Sequence, residues 1–289
     1  MLSTGENTKG AIKGIRSGNQ DVTRFTVACY ILLPMNDKLQ RLVQFHKNRL
    51  GQELAYQYLP GKQPMVVFLS GYASDMTGSK AEHLSEHCVR RGQAFLRLDY
   101  SGHGQSAGNF SDGSIGRWAE DAQSIIEYVN RSPCVLVGSS MGAWIMLVLA
   151  KKMRRRVKGL IGIAAAPDFT KDLIWNGLDD KQRETLVAKG EIYLTSQDTD
   201  DALPVTWRLI EDGNDRLLLN DVIHLSCPVR LIHGVSDTDV PWTTSMRLSQ
   251  QLESQDVSLT LIKDGEHRLS RSSDLATIVS VLDALLEYL

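Results

Sequence analysis

The chain has 289 residues, so at about 150 residues per domain it holds either two domains or one domain with an insertion. Apolar residues make up 42% and charged residues 23%, and 32 Lys and Arg against 34 Asp and Glu leave a formal net charge of -2. That balance excludes a disordered chain, a collagen-like repeat and a generally basic nucleic-acid binder. The longest uninterrupted apolar run, Ala143 to Ala150, is far short of the roughly 20 residues a membrane-spanning helix needs.

Residues 1–34 stand apart. Lys9, Lys13, Arg16 and Arg24 outnumber Glu6 and Asp21, and a short apolar patch, Val27 to Leu33, stops at Pro34. The patch lies far from Met1 and lacks a small-residue cleavage site, which argues against a secretory signal. The expectation is an N-terminal extension that does not belong to the folded domain, with Met35 as an alternative natural start. A cytoplasmic protein is expected, or a mitochondrial-matrix one if residues 1–34 act as a presequence. Cys29, Cys88, Cys134 and Cys227 show no CxxC or CxxH spacing, so they read as free buried thiols rather than a zinc site.

From residue 40 the pattern becomes regular. Leu42 to His46 and Glu53 to Leu59 read as an antiparallel strand pair, and Met65 to Leu69 as a strand buried on both faces. An amphipathic stretch, Lys80 to Arg91, ends at Gly92. The alternation continues with strand Ala94 to Leu98, helix Ile115 to Val129, strand Cys134 to Val137, helix Ala143 to Lys152 and strand Gly159 to Ala164. It resumes with strand Val229 to His233, helix Thr243 to Leu252, strand Val257 to Ile262 and helix Asp274 to Tyr288. Such alternation predicts an α/β domain over 35–289, with a mostly parallel sheet and helices on both faces.

The interruption between these halves, about Phe169 to Ser226, lacks strong strands and is rich in charge (Asp179, Asp180, Lys181, Arg183, Glu184). It is expected to be a small cap over one edge of the sheet. Sites in open parallel sheets form at the carboxyl ends of the strands, where such an insertion would cover them.

G-x-S-x-G occurs twice, around Ser140 and around Ser106, and context separates the copies. Ser140 follows the apolar run CVLV and precedes AWIMLVLA, which is the strand, sharp turn and helix that a nucleophile elbow requires. Ser106 lies between two loop segments with no helix nearby, and reads as a serine hydrogen-bonding its own backbone. A serine hydroxyl needs a base, and the base an orienting carboxylate. Of seven histidines, His46, His103, His224 and His233 fall on strands, loops or the cap exit. His83 and His87 lie four apart on a helix, where a solvated face is the plain reading. His267 follows the last strand, at the edge where the elbow projects. Asp237 and Asp239 both follow strand VRLIH; Asp237 is nearer the strand end, and Asp239 could cap the next helix. The expected triad is Ser140, Asp237 and His267, in the chain order of α/β-hydrolases. The oxyanion donors are expected from the backbone N–H groups of Met141 and Tyr72.

The elbow, Asp99-Tyr100-Ser101-Gly102-His103-Gly104-Gln105-Ser106, GVSDTDVP and the final GEHR all resemble the α/β-hydrolase superfamily. SGYASDMTGSKA, DYSGHGQSAG, VGSSMGAW and VPWTTSM are similar, more narrowly, to the mitochondrial palmitoyl-protein thioesterases that also cleave acyl glucuronides, and to their bacterial relatives. The similarity covers about Leu50 to Leu289 and is weakest in the cap; where that subgroup commonly has Gly-Gly, this chain has Gly142-Ala143. The resemblance implies an α/β-hydrolase fold and a serine esterase or thioesterase that uses no cofactor or metal. Its substrate would be a small-molecule acyl ester or thioester, or an S-acylated protein. Trp175 and Trp207, with Leu173, Ile174 and Leu178, are candidates to line an acyl pocket. A carbon–carbon bond hydrolase, a perhydrolase and a non-catalytic binding protein of the same fold stay open as alternatives.

Overall fold

The computed structural model describes residues 42–196 and 199–289; the expectations for segment 1–34, for Cys29 and for Met35 as a start lie outside them. The first strands are β1 (Gln44–Lys47), β2 (Glu53–Leu59), β3 (Lys62–Leu69), β4 (Gln93–Leu98), β5 (Cys134–Ser139) and β6 (Val157–Ile163). Helix α1 (Ser79–Arg91) joins β3 to β4, α2 (Ile115–Val129) precedes β5, and α3 (Met141–Lys152) joins β5 to β6. After an insertion come β9 (Val229–Gly234), a helix over Thr243–Gln251, β10 (Val257–Ile262) and a C-terminal helix over Ser272–Tyr288. The eight-stranded sheet runs β1-β2-β4-β3-β5-β6-β9-β10. Its first two pairings, β1 with β2 and β2 with β4, are antiparallel, and the rest are parallel.

Strand alternation divides the core. In β3, Met65, Val67 and Leu69 point into a cluster with residues of α2 and α3, whereas Val66 and Phe68 point into a second cluster. That second cluster contains Ala81, Leu84 and Cys88 of α1 and Ile278, Leu282 and Leu285 of the C-terminal helix. A period of two sends successive side chains to opposite faces, so an unbroken apolar strand must be covered on both. Helix α3 is buried continuously from Met141 to Ala150, which explains why its sequence is apolar all round. The C′ residue Gly92, at φ 64°, closes α1 through the left-handed turn that glycine adopts without penalty.

The insertion is a cap, and its interior differs from the reading of a segment without strong strands. After a π-type turn (Thr170–Ile174) and a short 3-10 turn (Trp175–Gly177), the chain forms α4 (Asp180–Lys189). A hairpin of β7 (Glu191–Ser196) and β8 (Thr199–Thr206) and helix α5 (Trp207–Asn214) follow. The helices after β9 and β10 are therefore α6 (Thr243–Gln251) and α7 (Ser272–Tyr288). The charges noted in the sequence belong to α4. Asp179 accepts from the Gln182 N–H at 2.8 Å while the Gln182 side chain accepts from the Asp179 N–H at 2.9 Å, a reciprocal N-terminal cap. The hairpin escaped the sequence pattern because Asp200, Asp201 and Pro204 interrupt the apolar alternation of β8.

A buried carboxylate gathers the two ends of the cap. Asp168, at φ 60°, accepts from the N–H groups of Leu218 and Leu219 at 2.9 and 2.8 Å. Burial pushes its pKa up, opposed by those two backbone donors. Arg247 of α6 adds an ion pair to Asp172 at 2.9 Å and donates to the Leu219 carbonyl at 3.0 Å. Replacing Asp168 by Ala strands two buried N–H groups, at a cost of about 3 kcal/mol. The expected result is a melting temperature lower by roughly 5 °C and faster proteolytic cleavage within 169–226. A variant as stable and as resistant as the parent would show that the cap is held elsewhere.

Candidate active site

At Ser140 the chain turns from β5 into α3 within one residue, at φ 54° and ψ -121°. A non-glycine residue in this region is strained by about 1–3 kcal/mol and persists only where its surroundings fix it. Here the Ser140 N–H donates to the Ile163 carbonyl at 2.9 Å, and the Ser140 carbonyl accepts from Ala143 and Ala166 at 2.9 and 3.2 Å. The flanking glycines are sterically required. A Cβ on Gly138 would collide with the backbone of Gly142 and Ala143, and one on Gly142 with the carbonyls of Leu69 and Ser70. The turn thus lets α3 start hard against the end of β3 and lifts the half-buried Ser140 side chain clear of the sheet.

Two loops at the same sheet edge supply the partners. The loop after β9 carries Asp237 and the loop after β10 carries His267. They pack backbone to backbone: Ser236 N–H donates to the Gly265 carbonyl at 2.9 Å, and any Cβ on Gly234 would strike that same carbonyl. His267 Nε2 lies 3.1 Å from Ser140 Oγ, and His267 Nδ1 lies 2.8 Å from Asp237 Oδ2. The structure therefore brings together the three side chains that the sequence singled out. The Asp237 carboxylate is wholly inaccessible. Burial alone would raise its pKa, but hydrogen bonds from His233 and His267, the His267 charge and the Val240 N–H together hold it well below the ordinary carboxylate range. Asp239 has a different place: its N–H donates to Asp237 Oδ1 at 3.0 Å.

Sequence reasoning passed over His233. Its ring is fully buried, with Nε2 at 3.1 Å from Asp237 Oδ2 and 3.0 Å from the Val240 carbonyl, and Nδ1 at 2.7 Å from Ser245 Oγ of α6. The i, i+4 spacing of His233 and Asp237 across a strand end was the available signal.

Of the expected oxyanion donors, Met141 is the first residue of α3, so its N–H has no partner within the helix. Tyr72 follows Gly71, whose Cα faces Ser140 so closely that an added Cβ would stand 3.4 Å from the Ser140 Cβ. The Tyr72 ring packs edge-on against Phe110, Trp118 and Phe169, and its hydroxyl donates to the Pro204 carbonyl of β8. Burial pushes that phenol far up, so it stays protonated.

The remaining candidates have structural surroundings. Ser106 Oγ donates to the Asp99 carbonyl at 2.7 Å and accepts from Ala55 N–H at 2.8 Å, tying its loop to β2 rather than bonding its own backbone. His87 is not on a solvated face, because its Nε2 meets Asp283 of α7 at 2.8 Å beside Arg91, clamping α1 to α7. His103 lies among Tyr100, Phe110 and Trp118, and burial pushes its pKa down to about 4. His46 pairs with Ser124, and His224 with Glu253. Burial raises the thiols of Cys88 and Cys134 to about 12 and about 11, far from a reactive thiolate. Trp175 and Trp207, ring centroids 5.6 Å apart, belong to a small apolar cluster within the cap, with Arg183 over Trp175. Among the described residues no group of three or more His, Cys, Asp or Glu could hold a metal ion, and no helix is long and apolar enough to cross a membrane.

Comparison with known proteins agrees with this architecture. The family model described as serine aminopeptidase, S33, matches residues 61–188. The mouse mitochondrial palmitoyl-protein thioesterase ABHD10 is 37% identical over 237 residues, which is 82% of this chain and 80% of that protein. Its human counterpart is also 37% identical, over 82% of this chain and 77% of its own length. The solved structure of mouse alpha/beta hydrolase domain-containing protein 10 superposes with a TM-score of 0.80 at 35% identity, over 86% of this chain and 99% of that one. With a mostly parallel sheet, a strand-turn-helix serine and relatives of this similarity and coverage, the chain belongs to the ABHD10-like family of α/β hydrolases.

Proposed function

We propose that this hydrolase cleaves carboxylic esters and thioesters through an acyl-enzyme intermediate on Ser140, with S-acylated proteins as a substrate class. The contact of Ser140 Oγ with His267 Nε2 at 3.1 Å, backed by Asp237 at 2.8 Å, carries the reading. His267 takes the serine proton as Oγ attacks the acyl carbonyl, and Asp237 holds the ring so that Nε2 faces the serine and steadies the imidazolium that forms. The N–H groups of Tyr72 and Met141 receive the oxyanion, worth about 3–4 kcal/mol each in the transition state. His267 then returns the proton to the leaving group, and a water activated by the same imidazole releases the acid. The name of the mouse relative, a palmitoyl-protein thioesterase, supports a fatty-acyl thioester as substrate, and its mitochondrial designation favours that compartment over the cytoplasm for this chain. Thiolates and activated alkoxides depart with little help, whereas an amine must be protonated as it leaves, so amides and peptides should turn over more slowly.

Ser140→Ala is expected to abolish hydrolysis of p-nitrophenyl butyrate and labelling by a fluorophosphonate probe. Ser106→Ala should keep both and only melt lower, by the about 1–2 kcal/mol of two backbone hydrogen bonds. Equal labelling of wild type and Ser140→Ala would overturn the nucleophile.

Asp237→Asn should lower kcat by orders of magnitude and Asp239→Asn by a few-fold at most, since the Asp237 carboxylate bonds His267 while the Asp239 amide bonds Asp237 Oδ1. Comparable kcat losses in the two variants would show that the acid is misassigned.

In the cap, Trp175 and Trp207 are proposed to set acyl selectivity. Replacing either by Ala should shift the preference among acetate, butyrate and octanoate esters, by about 1–3 kcal/mol of discrimination per methylene-sized change, while labelling at Ser140 persists. A chain-length profile that stays the same in both variants would assign the pair to packing alone.

A further inference from the structure

The Asp237 carboxylate is shared by two histidines, and only one of them faces the serine. Its Oδ2 atom meets His267 Nδ1 at 2.8 Å and His233 Nε2 at 3.1 Å, while Oδ1 accepts the N–H groups of Asp239 and Val240 at 3.0 and 2.8 Å. Four donors thus occupy the roughly four acceptor sites of a carboxylate. His233 Nε2 faces two acceptors, Asp237 Oδ2 and the Val240 carbonyl, so that nitrogen carries its hydrogen. Nδ1 of a neutral ring then accepts the Ser245 hydroxyl at 2.7 Å. His233 and Ser245 are both fully buried, and they belong to different elements, β9 and α6. Ser245, His233, Asp237, His267 and Ser140 therefore form one continuous hydrogen-bonded chain.

We infer that His233 is a positioning residue that, oriented by Ser245, tunes how strongly Asp237 holds the His267 imidazolium. The inference rests on the Ser140 reading above. Its physical basis is that the His233 N–H points its positive end at the very oxygen that receives His267. That donor locks the carboxylate in one rotation, and it draws electron density from the oxygen and so weakens its pull on a proton at His267. The balance matters because a carboxylate that holds imidazolium too tightly leaves His267 protonated and unable to act as a base, whereas a mobile one loses the ring's orientation. Among the described residues Asp237 is the ionisable group bonded to His233, with His267 across the shared oxygen. From α6 the neighbour is the Ser245 hydroxyl, and from the loop after β9 it is the Val240 carbonyl.

The test compares the pH dependence of kcat/KM for p-nitrophenyl butyrate, and of fluorophosphonate labelling, in wild type, His233→Phe, His233→Gln and Ser245→Ala. His233→Phe should move the acid limb of both profiles to higher pH by about half a unit or more, with kcat about tenfold lower and KM little changed. His233→Gln, whose amide can still donate to Oδ2, should return the limb toward wild type. Ser245→Ala should shift it in the same direction as His233→Phe but by less, which keeps the test decisive if the Phe variant does not fold. An acid limb that stays in place in these variants, with only melting temperature or rate reduced, would make His233 a packing residue and overturn the inference. So would a Gln variant whose limb matches that of Phe. Ser140→Ala measured alongside separates the two levels: activity that survives it overturns the Ser140 reading itself and this inference with it.

Discussion

A charged carboxylate stripped of water is expensive to bury, and the architecture of the sheet edge follows from satisfying the one at Asp237. Asp237 is fully inaccessible and still ionised, because two histidine N–H groups and two backbone amides surround it. Those four donors come from the end of β9, the turn that follows it and the loop after β10. The turn after β9 must fold back on itself to present the Asp239 and Val240 amides to Oδ1. The loop after β10 must lie directly on Gly234, where no side chain could be accommodated. Losing one donor would leave a buried charge underpaired, so the loops are constrained together rather than separately.

The strain at Ser140 is a second local cost offset by the surrounding fold. Positive φ at a serine is tolerated because its N–H and its carbonyl are bonded to β6 and to the segment just beyond it, and because bare backbone at Gly138 and Gly142 lets α3 approach β3 and β5 closely. The same packing sets Gly71 against the Ser140 side chain, with Met141 opening α3 directly after it.

The cap is tied to this edge by an apolar seam, in which Phe169, Leu209, Leu218 and Leu219 join the core cluster of the sheet, and by polar contacts. Asp168 closes its base, Asp212 accepts the Gly116 N–H at 2.7 Å, Trp144 donates to the Arg216 carbonyl at 3.2 Å, and Tyr72 reaches Pro204. Its own small cluster of Leu178, Leu186, Val205 and Ile210, with Trp175 and Trp207 packed against it, keeps it folded as a unit. The bond from the Tyr72 hydroxyl to the Pro204 carbonyl couples the cap to the loop after β3. Coupling of this kind resides in hydrogen bonds between distant segments, which no local pattern records.

How much of this was legible in the chain depends on the range of the interaction responsible. The strands β3, β5 and β9, the helices α2 and α3 and the elbow between β5 and α3 are written in contiguous residues, because burial on both faces demands unbroken apolar runs and a sharp turn demands Gly138 and Gly142. Ser140, Asp237 and His267 could be nominated for the same reason, each following a recognisable strand. In the sequence Asp237 ranked ahead of Asp239 only by its nearness to the strand end; the physical difference is made by a turn that points one carboxylate inward and the other's amide toward it. Nor could it reveal the β7–β8 hairpin, whose second strand carries charges and a proline, the clamp of His87 on Asp283, or the place of His233 behind the carboxylate. These depend on which distant segments fold against one another, and only the packed sheet brings β9, β10, α1, α6 and α7 to those distances.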